Sequence, residues 1–199
     1  RHLSLVEATG VPGPAIPDAT LTVPDAVRRD ARATLAEAGL DGGPFVAAHV
    51  ASFAHEAKRW PEERFAALFA RLHEERGLPV VLLGSAAEAA RNAHVAALAA
   101  PARVLDLAGK TSLADVLGVV AEAELFVGND SGLAHLANAA GTPTTVVFGP
   151  TDPDATRPWD GPRPDGRPVH LRVVRKRVPC APCRVTRGPR DPAGMPGGA

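Results

Sequence analysis

Short apolar runs alternate with segments of helical period along most of the chain. "FVAAHV" (45–50), "PVVLLG" (79–84), "RVLDL" (103–107), "ELFVG" (124–128) and "TTVVFG" (144–149) read as strands. They are apolar through their length rather than alternating, as expected of strands covered on both faces. The segments between them carry helix start and stop signals. The helix at 61–75 has Pro61 at its first position, acids in its first turn and Gly77 after its end. The helix at 85–100 opens on a capping box, Ser85 with Glu88. Helices are also expected at 25–38, stopped by Gly39, at 112–123, and at 131–140, closed by Gly141. "VHLRVV" (169–174) reads as one more strand. This alternation predicts an α/β fold, a Rossmann-like parallel sheet with helices on both faces.

The edges of that pattern divide the chain. Residues 1–24, with several Pro and Gly, read as a connector, and residues 25–175 as one domain. The stretch from Gly149 to Pro168 reads as a long Pro/Gly/Asp loop, and residues 176–199 as an irregular tail. A helix closing the domain after the last strand is expected of such a fold and is not read there. No repeat of 20–50 residues is found.

Composition narrows the class. The chain has 199 residues, 45% of them hydrophobic, enough for one good core. A formal net charge of zero gives no general attraction to nucleic acid or anionic membrane. No apolar run approaches the roughly 20 residues that span a bilayer. The opening "RHLSLVEATG" does not read as a secretory leader, and Arg1 in place of Met reads as the start of a piece of a longer chain. Two cysteines do not make a disulfide framework, so a cytoplasmic location is the default. Cys180 and Cys183 form a C-x-x-C with no second pair nearby, too few ligands for zinc.

In a parallel sheet, ligands bind beyond the carboxyl ends of the strands. The chemistry-bearing residues gather there: His49 to Arg59, Gly84 to Glu88, Ala108 to Ser112, Gly128 to Gly132, and Phe148 to Pro153. With Asp130 read as N-cap, the amides of Ser131, Gly132 and Leu133 open the next helix, and its dipole adds about half a positive charge. That outlines a diphosphate cradle. The plainer reading is a capped helix with Gly132 packed against the sheet. Lys58 reads as a phosphate cation or as a solvated loop residue. Glu88 reads as a ribose acceptor or as the capping-box partner of Ser85. His135 reads as a core histidine, or as a phosphate contact whose ring leans back toward the helix start. Thr111 and Ser112 cap a helix and could also touch a base or sugar.

In combination these pieces resemble the C-terminal half of glycosyltransferase family 9, the heptosyltransferases. The matching strings stand in order: "AKRWPEERFAALFARL", "VVLLGSAAE", "LAGKTSLADVL" and "AELFVGNDSGLAHLANAAGTPTTVVFGPTDP", over about residues 45–153. The resemblance implies a GT-B enzyme with two Rossmann-like domains facing across a cleft. The C-terminal domain holds the nucleotide-sugar donor, typically ADP-heptose. The N-terminal domain holds a lipid-linked acceptor and an acidic base. Transfer to the lipopolysaccharide inner core inverts the anomeric centre, with no cofactor and no metal in the chemistry.

By that resemblance Lys58 and the Ser131-Gly132-Leu133 amides hold the diphosphate, with Ser52 as a further hydroxyl. Glu88 holds ribose, Thr111 lies near the nucleoside, and Asp130 with His135 lies by the phosphates and the donor sugar. A bare carboxylate at contact distance from diphosphate would be repelled by about 1–4 kcal/mol. Asp130 is therefore expected to direct its lone pairs at helix amides or sugar hydroxyls.

Nothing in residues 1–199 corresponds to the acceptor domain, so the base is expected outside them and these residues are expected to be inactive alone. The implied location is cytoplasmic, at the inner face of the inner membrane, with membrane association peripheral at most and no nucleic-acid partner. Some relatives carry a four-cysteine tail, but Gly188 and Gly194 stand at the later two positions. Competing readings are another GT-B transferase or a nucleotide-sugar epimerase using a UDP- or GDP-sugar, and a stand-alone nucleotide-binding module. A dehydrogenase is disfavoured, because no G-x-G-x-x-G follows the first strand.

Overall fold

The computed structural model describes residue 10 and residues 19–40, 42–52, 56–163 and 166–176. Helix α1 (Asp25–Glu37) precedes β1 (Val46–His49), α2 (Glu62–Arg76), β2 (Val80–Leu82), α3 (Ala89–Leu98) and β3 (Val104–Asp106). Then come α4 (Leu113–Glu122), β4 (Leu125–Asn129), α5 (Gly132–Ala140), β5 (Thr144–Phe148), the short α6 (Pro153–Thr156) and β6 (Leu171–Arg175). The expected alternation is present, with boundaries shifted by a few residues.

Three local differences stand apart from the expected pattern. Residues 86–88 form a 3-10 turn before α3, because Glu88 folds back onto Ser85 and tightens the first turn. A second 3-10 turn, Glu56–Lys58, sits in what reads as an open loop. The 149–168 stretch contains α6, started by Asp152, whose side chain accepts from the Asp154 amide, with Pro153 following. The cysteine pair and residues 177–199 lie outside the described residues.

Six parallel strands form one sheet in the order β3-β2-β1-β4-β5-β6. The chain moves outward from β1 to β3, then returns to pair β4 against the other side of β1. His49 and Gly128 are register partners at the carboxyl end of that seam. There the strand order reverses, and the loops after β1 and β4 diverge to opposite faces and leave a crevice.

Alternate strand residues supply two cores. Ala47, Val81, Phe126 and Val146 pack with α1, α4 and α5 through Leu35, Val116, Val119, Val120 and Ala134. Val46, Ala48, Val80, Leu82 and Val127 pack on the other face against Phe65 and Phe69 of α2 and Val95 of α3. Gly118 allows α1 to cross α4 closely, since a Cβ there would lie 2.6 Å from the Val27 carbonyl oxygen. At the ends of these helices Glu122 takes ion pairs from Arg28 and Arg32, at 2.7 and 2.5 Å. Before α1, Val23 is buried and the Leu21 amide donates to the Ala139 carbonyl.

Phe69, on α2, is fully buried against the sheet, its ring 5.9 Å from that of Phe65. Phe69→Ala is expected to remove about 3–5 kcal/mol. Urea titration should show a lower midpoint at an unchanged slope.

Candidate functional site

A cleft of about 900 Å³ opens over the β1/β4 seam. Its floor is the start of α5: Ser131, Gly132, Leu133, His135 and Leu136. Ser131, extended at φ −154° and ψ 165°, is the N-cap, and no side chain among the described residues caps the helix. The first-turn amides are therefore open toward the cleft. A Cβ built on Gly132 would meet nothing within 4 Å. Gly132 is not there to pack against the sheet, which removes the plainer reading of that residue. Its bareness leaves the backbone approachable from the cleft.

Asp130 departs from its expected place. It precedes the N-cap, because its amide still donates to the Val147 carbonyl and so belongs to the sheet rather than to the helix. Its carboxylate is not bonded to helix amides. Oδ2 accepts from Lys58 Nζ at 3.0 Å and from Thr151 Oγ1 at 2.8 Å. Asp130 is mostly buried and Lys58 half-buried, so solvent weakens this pair less than a surface one. Lys58 is thus neither a solvated loop cation nor an unengaged one.

The loop carrying Lys58 is fixed by Asn129, which is fully buried. Asn129 Oδ1 accepts from the Trp60 amide at 2.8 Å, and Nδ2 donates to the Val50 carbonyl at 2.8 Å. Gly149 fits tightly beneath the same loop, where a Cβ would come 2.6 Å from the Ala57 carbonyl oxygen and 3.1 Å from Lys58 Cα. Trp60 packs edge-on against Phe65, centroids 4.8 Å apart, and seats the loop on α2. Ser52, expected as a phosphate-contacting hydroxyl, is not among the residues lining the cleft. It is buried and donates to the Asp130 carbonyl at 3.3 Å, bracing the loop from behind.

Glu88 and Thr111 form the far wall. Glu88 Oε2 accepts from the Ser85 amide and hydroxyl at 2.7 and 3.0 Å, as the capping-box reading required. Oε1 lies 3.5 Å from His49 Nε2, and Nδ1 of the same ring is 3.0 Å from Ser131 Oγ. One buried imidazole therefore joins the acidic wall to the helix start. Contact with His49 pulls the Glu88 carboxyl down to about 2, against the opposing effect of partial burial, and Ser85 adds to the lowering. His135, read from sequence as a core histidine or a phosphate contact, is exposed on the cleft floor. Leu113, Val116 and Leu136 give the Thr111 end an apolar surface.

Of the residues expected at the site, Lys58, Glu88, Thr111, Asp130, Ser131, Gly132, Leu133 and His135 all line this cleft. Sequence reading did not single out His49, Asn129 or Thr151. His49 and Asn129 each end an apolar strand, and Thr151 sits in the stretch already marked after β5. A buried polar residue at a strand's carboxyl end was the available signal.

Asn129→Ala would leave the Trp60 amide and Val50 carbonyl without their partners. A loss of about 2–4 kcal/mol is expected for the two bonds together, measured by thermal or urea unfolding. For Glu88 the contact with His49 holds the folded carboxyl well below the usual carboxylate range of about 4.5. Its contribution is fully present above about pH 4.5 and fades as pH falls toward about 2. Urea unfolding of wild type and Glu88→Gln should differ by about 1 kcal/mol at pH 5–6, allowing for solvent screening, and converge only as pH falls to about 2 and below.

Comparison with known proteins bears on this geometry. A family model described as glycosyltransferase family 9 (heptosyltransferase) matches residues 2–186. Lipopolysaccharide heptosyltransferase 2 of Escherichia coli K12 is 41% identical over 105 residues, 51% of this chain and 30% of that protein. Lipopolysaccharide heptosyltransferase 1 of Pseudomonas aeruginosa is 42% identical over 128 residues, 63% of this chain and 32% of that one. The solved E. coli ADP-heptose lps heptosyltransferase II superposes with a TM-score of 0.65 at 27% identity, covering 84% of this chain and 48% of that one. A glycosyl transferase family 9 structure from Veillonella parvula shares the fold, with a TM-score of 0.73 at 21% identity, over 88% of this chain and 48% of that one. The matched stretches thus span about a third of the curated relatives' length and about half of the solved chains.

Proposed function

The chain belongs to glycosyltransferase family 9, and from that membership we propose that it is the donor-binding half of an inverting, metal-independent heptosyltransferase. The donor is ADP-heptose, and the acceptor is the inner core of lipopolysaccharide at the cytoplasmic face of the membrane. The observation that carries the reading is the uncapped start of α5, opening into the cleft beside Lys58. Open amides, the helix dipole and a half-buried ammonium suit two linked phosphoryl groups.

The parts then take distinct tasks. The Gly132 and Leu133 amides donate to phosphate oxygens, and Lys58 balances the diphosphate charge. Asp130, held by Thr151, turns a carboxylate oxygen to a hydroxyl of the donor sugar. Glu88 already holds Ser85 through Oε2, and Oε1 remains for a ribose hydroxyl. Its low carboxyl range keeps it a pure acceptor at neutral pH. The apolar patch of Leu113, Val116 and Leu136 near Thr111 suits the flat face of a base. His135 stands over the phosphates. When the sugar–phosphate bond breaks, negative charge collects on the terminal phosphate of the leaving nucleotide. Amides and cations placed there stabilise that charge as it grows. The acidic base that takes the acceptor proton is assigned to the acceptor domain.

Among the described residues no helix is long and apolar enough to cross a membrane. That accords with access to a water-soluble nucleotide sugar.

Calorimetry on residues 1–199 should show ADP binding with a Kd between about 1 μM and 1 mM. Lys58→Ala should weaken it by about 10–100-fold, because the phosphates lose a cation and then face an unbalanced Asp130. A folded sample at millimolar concentration that does not bind ADP, or one that prefers UDP or GDP, would falsify the donor assignment.

A further inference from the structure

Lys58, Glu88, Asp130 and His135 line the donor cleft, and each has a task in holding a sugar nucleotide. His49, at the end of β1, lines the same cleft and has none. It is buried, with Nδ1 at 3.0 Å from Ser131 Oγ and Nε2 at 3.5 Å from Glu88 Oε1. Ser131 is the N-cap of α5, yet its hydroxyl bonds to no amide of that helix.

These three groups fix one another's hydrogens. Glu88 is ionised, so its oxygens only accept, and Nε2 is the ring nitrogen that carries a hydrogen toward them. In the neutral ring Nδ1 is then a bare acceptor, and the Ser131 hydroxyl donates to it. In the imidazolium both ring nitrogens donate. Nδ1–H then donates to Ser131 Oγ, and the hydroxyl hydrogen is released to point into the cleft, beside the Gly132 and Leu133 amides.

Charge drives that change when an anion arrives. Among the residues lining the cleft, Lys58 and Asp130 balance each other at 3.0 Å, which leaves Glu88 as an unbalanced carboxylate while His49 is neutral. A diphosphate adds further negative charge. A proton on His49 offsets it and frees a hydroxyl donor at the same moment. His135, exposed on the cleft floor, is the other imidazole there. Water screens a charge at that position, and no donor is released by placing one there.

We propose that His49 is a positioning residue for the donor: diphosphate binding draws a proton onto its ring, which turns the Ser131 hydroxyl from His49 to a phosphate oxygen. The proton comes from solvent, and Ser131 keeps its own hydrogen. The proposal rests on the donor reading of the cleft and adds a pH-dependent grip to it. Histidine ordinarily changes charge between about pH 5 and 8, so the coupling is readable near neutrality. Proton and ligand strengthen each other, and affinity rises as pH falls.

The probe is the β-methyl ester of ADP, whose two phosphates are both esterified and bind no proton near neutral pH. Calorimetry on residues 1–199 at about pH 7.5, in buffers of different ionisation enthalpy, should show net proton uptake. Kd should fall about tenfold between about pH 8 and pH 6. His49→Gln should lose the uptake and the pH dependence, and Ser131→Ala most of both. Ser131→Thr, which keeps a hydroxyl, should retain them, as should His135→Gln. In the wild type, the nitrogen-15 resonances of the His49 ring should move to imidazolium positions on saturation, a reading that needs no variant to fold. Binding without proton uptake, or uptake that survives in His49→Gln and disappears in His135→Gln, overturns the proposal and leaves the donor reading standing. A folded chain that binds neither ADP nor the ester overturns the donor reading, and this proposal with it.

Discussion

The amide of Asn129 is the constraint on which the cleft depends. It stands at the end of β4, fully buried, and reaches across the seam to the Val50 carbonyl and the Trp60 amide. A side chain with both a donor and an acceptor is required, because the loop after β1 presents one group of each kind. Without that clasp Trp60 and the Glu56–Lys58 turn before it would lose their direct tie to the end of β4. The edge contact of Trp60 with Phe65 and the tight seat over Gly149 secure the same loop from two other sides. The position of the Lys58 ammonium is thus set by residues that do not face the cleft.

Electrostatic balance within the cleft follows from where each strand ends. Because β4 continues one residue further than the helix pattern suggests, Asp130 is left on the sheet side of the N-cap. Its carboxylate then meets Lys58 and Thr151 rather than the amides of α5. Ser131 takes the N-cap position, but its hydroxyl faces His49 instead of its own helix. A buried imidazole between Ser131 and Glu88 thereby leaves the helix amides open and holds both walls at a set spacing.

Much of this was legible in the sequence, for identifiable reasons. Apolar strands and capped helices are local signals, and the order of elements followed from them. The gathering of Lys58, Glu88, Thr111 and Gly132 followed from the rule that parallel sheets bind ligands at their carboxyl ends. What stayed hidden depends on contacts distant along the chain. The partner of Asp130 is 72 residues away in Lys58, and no spacing rule joins them. Ser52 looked like a ligand contact because it sits in the right loop; its rotation toward the Asp130 carbonyl is a tertiary matter. α6 was missed because Pro and Asp dominate its surroundings, although Asp152-Pro153 is a helix-start pair in its own right.

The Lys58–Asp130 pair has a consequence for selectivity. The cation that would welcome an incoming anion is already occupied by a tethered rival, present at a fixed and very high local concentration. A lone, weakly held anion gains little by contending with that rival. A ligand that also brings hydroxyls for the Asp130 carboxylate offers both halves of the pair a new companion at once. Under the function proposed above, the pair would favour a molecule that carries sugar and diphosphate together over a simple anion.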